Sequence, residues 1–176
     1  MSISRAADMY YTFRFLKTLV TDWKDTDAYD EGIIDAKGKN LIKQRDLTTN
    51  DQKNAYTTFY RLVFNIKRIL EKVPFGRSKL ASYAAALFLL REETGMSETS
   101  ILDVLDQLGY SVDESEDIIK ESKFHPGAYM LSITINEDYQ IGSIVNIDDT
   151  NPIGKFSDTL IYNTREGIPV TFANLG

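Results

Sequence analysis

His125-Pro-Gly-Ala-Tyr-Met-Leu-Ser-Ile-Thr-Ile135 is the stretch on which the fold turns. In it Met130, Ser132 and Thr134 alternate with Leu131, Ile133 and Ile135, the period of a strand with one buried face. Ile141, Ile144, Val145 and Ile147 predict a second strand, Leu160-Ile-Tyr162 a third, and the alternation of Ile168, Val170 and Phe172 a fourth. Turn residues lie between these runs, in Asn136-Glu-Asp138, Asp148-Asp-Thr-Asn-Pro152 and Thr164-Arg-Glu-Gly167. Residues 125–176 therefore read as a small antiparallel β unit, either barrel-like or a meander. So short a unit buries little surface alone, which predicts that it docks on the rest of the chain.

Before His125 the spacing is helical. Ala6, Met9, Phe13, Leu16, Val20 and Trp23 recur at intervals of three and four, predicting a first helix over residues 4–23 with this stripe in the core. Tyr10, Tyr11 and Phe15 widen its apolar face. Residues 24–48 form a long polar connection with a turn at Lys37-Gly38. It is either a functional excursion or a segment packed by Ile33, Ile34, Leu41 and Ile42. Thr49-Asn-Asp-Gln52 fits a capping box and opens a second helix over residues 49–73. Its stripe is Ala55, Phe59, Leu62, Ile66, Ile69 and Val73, and Pro74 and Gly76 end it. Ser78 caps a third helix to about Thr94 that is apolar on every face and so belongs at the centre. Gly95 stops it, Ser97 caps a fourth helix, and Ser111-Val-Asp-Glu114 opens a short fifth with Ile118 and Ile119. Helices come first and strands after, without alternation. The expected class is α+β: a helical bundle over residues 1–124, then the β unit over residues 125–176.

Composition removes several kinds of chemistry. The chain has no cysteine, so it has neither disulfides nor a thiol nucleophile, and its one histidine, His125, cannot build a histidine-only metal site. The longest apolar run, Leu80 to Leu90, falls short of the roughly 18–20 residues a membrane span needs. Asp8, Arg14 and Lys17 interrupt any signal-peptide core, so a chain that is neither secreted nor membrane-bound is expected. Pro74-Phe-Gly-Arg-Ser-Lys79 lacks the spacing of a phosphate loop, although a helix start beside Arg77 and Lys79 can attract an anion. Asp148-Asp149 and Glu92-Glu93 read as a turn and a solvated helix end. No catalytic set emerges, and neither a cofactor nor a metal is expected. Leu89 to Gln107 has the outline of a helix-turn-helix. Its second helix carries Glu98, Asp103 and Asp106 with no Lys or Arg, and phosphates would repel it.

The charge layout is the most informative feature. Residues 1–36 carry a net −3, residues 37–79 a net +8 and residues 80–176 a net −11, within a total of −6. Such asymmetry points to a charged partner. Arg61, Arg68 and Lys72 fall on the side of the second helix away from most of its apolar stripe, with Arg77 and Lys79 close by in sequence. These five are the candidate residues for a partner or anion, and Lys37, Lys39, Lys43 and Arg45 add to the same field. The partner is an acidic protein surface or nucleic acid; the competing reading is neutralisation by the acidic C-terminal half.

Three stretches resemble uncharacterised proteins of tailed bacteriophages. They are Tyr10-Tyr-Thr-Phe-Arg-Phe-Leu-Lys17, then Gly32-Ile-Ile-Asp35 with Lys37-Gly38, then Arg61-Leu-Val-Phe-Asn-Ile-Lys-Arg-Ile-Leu70 continuing into Lys79-Leu-Ala-Ser-Tyr-Ala-Ala-Ala86. The resemblance covers roughly the first ninety residues and carries no catalytic motif. It implies a viral, non-enzymatic protein that works by binding other phage proteins, as a virion component or in assembly. Nucleic-acid binding or host-directed regulation through residues 37–79 is the alternative. The host cytoplasm is the expected location, with the virion as a further one.

Overall fold

The computed structural model describes residues 3–72, 80–110 and 124–176, with helices ahead of strands. Six α-helices occur among the described residues: α1 (Ile3–Val20), α2 (Asp27–Asp30), α3 (Asn50–Ala55), α4 (Thr58–Lys72), α5 (Leu80–Thr94) and α6 (Glu98–Gln107). Five short strands follow: β1 (Gly127–Met130), β2 (Ile144–Ile147), β3 (Gly154–Phe156), β4 (Thr159–Asn163) and β5 (Pro169–Val170). The class is mixed α and β in the order the sequence predicts.

The main core lies between α1, α4, α5 and α6. It contains Phe15, Val63, Ile66, Tyr83, Leu87, Leu90, Ile101 and Leu105, all essentially inaccessible. α5 is its central rod, as its all-round apolar sequence predicts. One side of α5 meets α4, and other parts of it meet β3, β4 and β5. Phe156 of β3 and Ile161 of β4 belong to this same core, so the second sheet and the helices share one hydrophobic interior. At the end of α5, Gly95 takes a positive φ, and the Ser97 hydroxyl caps α6 by accepting from the Ser100 N–H. The Asp8 carboxylate of α1 accepts from the Ser97 N–H and from the hydroxyls of Ser97 and Ser100, which ties α1 to the start of α6.

Several expectations are corrected. α1 ends at Val20, and Trp23 sits in a separate 3-10 turn, Trp23–Asp25. The predicted stripe does not face the core: Met9, Phe13 and Val20 are each at least 60% exposed, while Phe15, Thr18 and Leu19 are buried. Both sides of α1 are apolar, and the position of α4 and α6 selects the side that is covered.

The second helix is two helices. Thr49 forms the predicted capping box with Gln52 and opens α3. At Tyr56 the backbone leaves the helical region, and its phenol receives the Asn40 side-chain amide at 2.6 Å. Thr57 then recaps α4, its hydroxyl accepting from the Tyr60 N–H.

The connection over residues 24–48 is packed. Trp23, Ala28, Ile33, Ile34, Leu47, Ala55, Tyr56 and Phe64 form a second core, with Ile42 against it, whereas Leu41 is 62% exposed rather than inward.

Among the described residues the strands form two separate antiparallel sheets, β1–β2 and β3–β4–β5, and no closed barrel. Capping chemistry explains why the strands stop early. β1 covers Gly127–Met130, so the alternating run predicted as a strand lies outside it after Met130: Leu131 exchanges backbone hydrogen bonds with Ser143 and Gly142 and bridges Leu175, and the Asn136 side chain accepts from the Asp138 and Tyr139 N–H groups to fold residues 135–139 into a turn. Phe172 is not in a strand. Thr171 and Asn174 cap one another and start a 3-10 turn, Phe172–Asn174. β3 has no alternation to reveal it; its link to β4 is a two-residue turn with Ser157 and Asp158 both at positive φ, the form that suits strand twist. The predicted fifth helix, Val73, Pro74, Gly76 and Ser78 lie outside the described residues.

Candidate anion-binding cleft

Four residues of α4 at intervals of four, three and four, Arg61, Asn65, Arg68 and Lys72, form one face. Opposite the later part of this face stands the turn over residues 35–40. One Asp35 oxygen accepts from the Lys37 and Lys39 N–H groups at 2.8 and 2.9 Å, and Ile34 bridges Asn40. These backbone donations, Lys39 first and Lys37 second, hold the Asp35 carboxyl below its ordinary pKa. Gly38 is at φ +76, and a Cβ there would overlap the Trp23 indole. The turn thus presents Lys37 and Lys39 while its backbone lies against the tryptophan.

Trp23 is the floor. Its Nε1 donates to Glu71 at 2.9 Å and its ring meets Phe64 edge-on at 5.2 Å. The Lys67 ammonium lies 4.5 Å from the ring centre and donates to the Thr21 carbonyl. Burial pushes the Lys67 pKa down, with Glu71 and Asp22 acting against it. Arg68 lies over the same ring at 5.5 Å. Its Nε donates to the Gly38 carbonyl at 2.7 Å and its Nη1 to Asn65 at 2.9 Å, whereas its buried Nη2 has no hydrogen-bond partner among the described residues. Arg68 therefore holds the turn through Nε and is braced along α4 through Nη1.

Between the turn, α4 and the loop over residues 134–140 lies a cleft of about 480 Å³, within the usual size range of ligand sites. Lys37, Lys39, Lys43, Arg68 and Lys72 line it, together with Glu71 and Glu137. A second cleft of about 440 Å³, mostly apolar, continues between α4, α5 and the β strands. The two share Asn65, Ile135 and Asn136, and Arg61 is the charged residue in the second lining.

Of the five candidate residues, Arg68 and Lys72 line the first cleft and Arg61 the second; Arg77 and Lys79 lie outside the described residues. The C-terminal half partly neutralises this field. Lys43 pairs with Asp138 at 2.9 Å, and a Glu137 oxygen accepts from the Gln44 N–H. The Lys43 hydrogen bond, and then the charges of Lys43, Arg45 and Arg61, hold the Asp138 carboxyl below its ordinary pKa. Among the described residues Lys37, Lys39, Arg61 and Lys72 make no ion pair. The sequence did not single out Glu137 and Asp138; their only signal was a turn-forming Asn136 in an acidic half.

The other candidates are occupied locally. Asp148 receives two hydrogen bonds from Arg165, each at 2.7 Å, and Asp149 receives the Asn151 amide. Glu98 of α6 pairs with Arg91 and accepts from the Ser157 N–H, so the start of that helix is engaged with β3 and its turn. No helix among the described residues is long and apolar enough to cross a membrane. The chain matches no protein-family model, no curated protein and no solved structure.

Proposed function

We propose that the protein works by binding: it is a bacteriophage protein, a virion component or assembly factor, that seats an acidic surface of another phage protein on the α4 face. The observation that carries this reading is the group of cations around the clefts, Lys37, Lys39, Arg61 and Lys72, that no acid of the described chain pairs. The likeness of the first ninety residues to tailed-phage proteins supports the viral setting. An acidic protein suits the face better than nucleic acid, because Glu137 and Asp138 stand in the same surface and would repel a continuous phosphate backbone.

The test has two arms. Mass spectrometry of purified virions and proheads should find the chain. Its absence from both removes the structural reading and leaves a host- or DNA-directed one. Lys37, Lys39 and Lys72 are exposed, so a triple change to Glu should leave the protein folded but reduce its incorporation. Titration with duplex DNA at about 50 and 200 mM salt separates the alternative: strong binding that falls steeply with salt would favour nucleic acid.

A further inference from the structure

The two clefts join into one groove along α4. Thr58, Arg61, Leu62, Asn65 and Ile69 line its apolar part, and Asn65, Arg68 and Lys72 line the part that holds the lysines. Residues 133–137 stand opposite along the whole groove, with Ile133 in the first lining, Thr134 and Glu137 in the second, and Ile135 and Asn136 in both. From Thr58 to Lys72 the helix rises about 21 Å. An extended peptide covers that length with about six residues.

The chemistry changes from one end to the other. At the Thr58 end lie Leu62, Phe88, Leu89 and Ile153, and Ile153 is 50% exposed. At the Lys72 end stand Lys37, Lys39 and Lys72, exposed and in no ion pair among the described residues. The acids of that lining are engaged elsewhere: Glu71 accepts from the Trp23 indole and Glu137 from the Gln44 N–H. At the junction Asn65 accepts from Arg68, and Asn136 from the Asp138 and Tyr139 N–H groups. Both side-chain NH2 groups therefore remain donors without a partner among the described residues. The N–H groups of Ile133 and Thr134 make no backbone hydrogen bond among the described residues either.

We propose that the groove takes one extended segment of the acidic partner, about six residues long, with its apolar side chains against α5 and its carboxylates among Lys37, Lys39 and Lys72. This rests on the acidic-partner reading and adds that recognition lies in a single linear segment whose apolar and acidic residues stand in separate blocks. A peptide suits the groove because its carbonyls meet the donors at the junction and along residues 133–134, where the chain of a lipid anion has no acceptor. Charge complementarity sets its direction, since a carboxylate gains nothing at the apolar end beyond Arg61. A segment this short binds with a dissociation constant of about 1–100 µM.

The test is fluorescence anisotropy with four labelled hexapeptides at about 50 mM salt. They carry three leucines followed by three glutamates, the reverse order, strict alternation of the two, and six glutamates. One block order should bind in the stated range, at least about tenfold more tightly than the alternating peptide and the six glutamates. Ile153→Glu and Asn65→Asp should each weaken that peptide about tenfold with an unchanged circular-dichroism spectrum, because Ile153 is half exposed and an aspartate at 65 still accepts from Arg68. Equal binding of the six glutamates overturns the two-block segment and leaves the acidic-partner reading standing. Binding that neither variant weakens overturns the placement along α4. Displacement of the peptide by dodecanoate at lower concentration than by unlabelled peptide overturns it in favour of a lipid anion. No binding of any peptide overturns the linear segment, and incorporation of the Lys37, Lys39 and Lys72 triple variant into virions then judges the acidic-partner reading on its own.

Discussion

Gly38 is where a single residue holds both the fold and the candidate site. Its φ of +76 is strained for any side chain, and a Cβ would enter the Trp23 ring. Gly38→Ala should lower stability by at least about 2 kcal/mol in urea unfolding and shift the fluorescence of the single tryptophan. An unchanged midpoint would show that the turn does not rest on the indole. Asp35 organises the same turn from the other side. Its carboxyl pKa is lowered in the folded state by the Lys39 and Lys37 N–H groups. The linked stability is therefore present above the unfolded value, about 3.9, and is lost as pH falls through the folded value. Asp138 behaves likewise through Lys43. Stability measured against pH should decline below about pH 4, and Asp35→Asn should flatten part of that decline.

Among the elements, the break between α3 and α4 has the most testable consequence. In an unbroken helix Thr57 would be an exposed interior residue, and Thr57→Ala would stabilise it by a few tenths of a kcal/mol. As the cap of α4, with its hydroxyl on the Tyr60 N–H, the same change should cost about 0.5–2 kcal/mol. Thermal melts of this one variant decide between the two structures by the sign of the shift. The break matters to the cleft because it lets Tyr56 turn inward to Asn40, at the end of the turn that carries Lys37 and Lys39. Thr57 has the side chain of a capping residue, but the helix predicted over residues 49–73 runs straight through it. The continuous apolar stripe across it masked the signal, because a short interruption barely changes helical phase.

The whole molecule is joined at α5. Phe156 is inaccessible, lies among helix side chains in the main core, and its ring stands 5.7 Å from the Arg91 guanidinium. Phe156→Ala should cost about 3–5 kcal/mol. Because sheet and helices share that core, tryptophan fluorescence and far-ultraviolet circular dichroism should report a single coincident transition. Two separated transitions would show that the β3–β4–β5 sheet unfolds on its own. Cohesion at this scale also shapes the charge distribution, since Lys43 meets Asp138 across the gap between the early turn and the β region.

Local chemistry determined much of this protein by itself. Caps at Thr49 and Ser97 and the stop at Gly95 depend on near neighbours in the chain, and the enclosed character of α5 on the apolar residues all round it. Each is found where the residues predict it. The order of helices before strands follows from a change of period that needs no partner to be read. The basic character of residues 37–79 was equally legible. Tertiary structure decided what periodicity leaves degenerate. α1 has two apolar sides, and only the placement of α4 and α6 determines that Phe15 rather than Phe13 is buried. The pairing of Lys43 with Asp138 and the two hydrogen bonds of Arg68 decide which cations remain unpaired at the cleft. Residues far apart in sequence meet only after the backbone has packed, and side-chain pairing then follows from distance rather than from pattern.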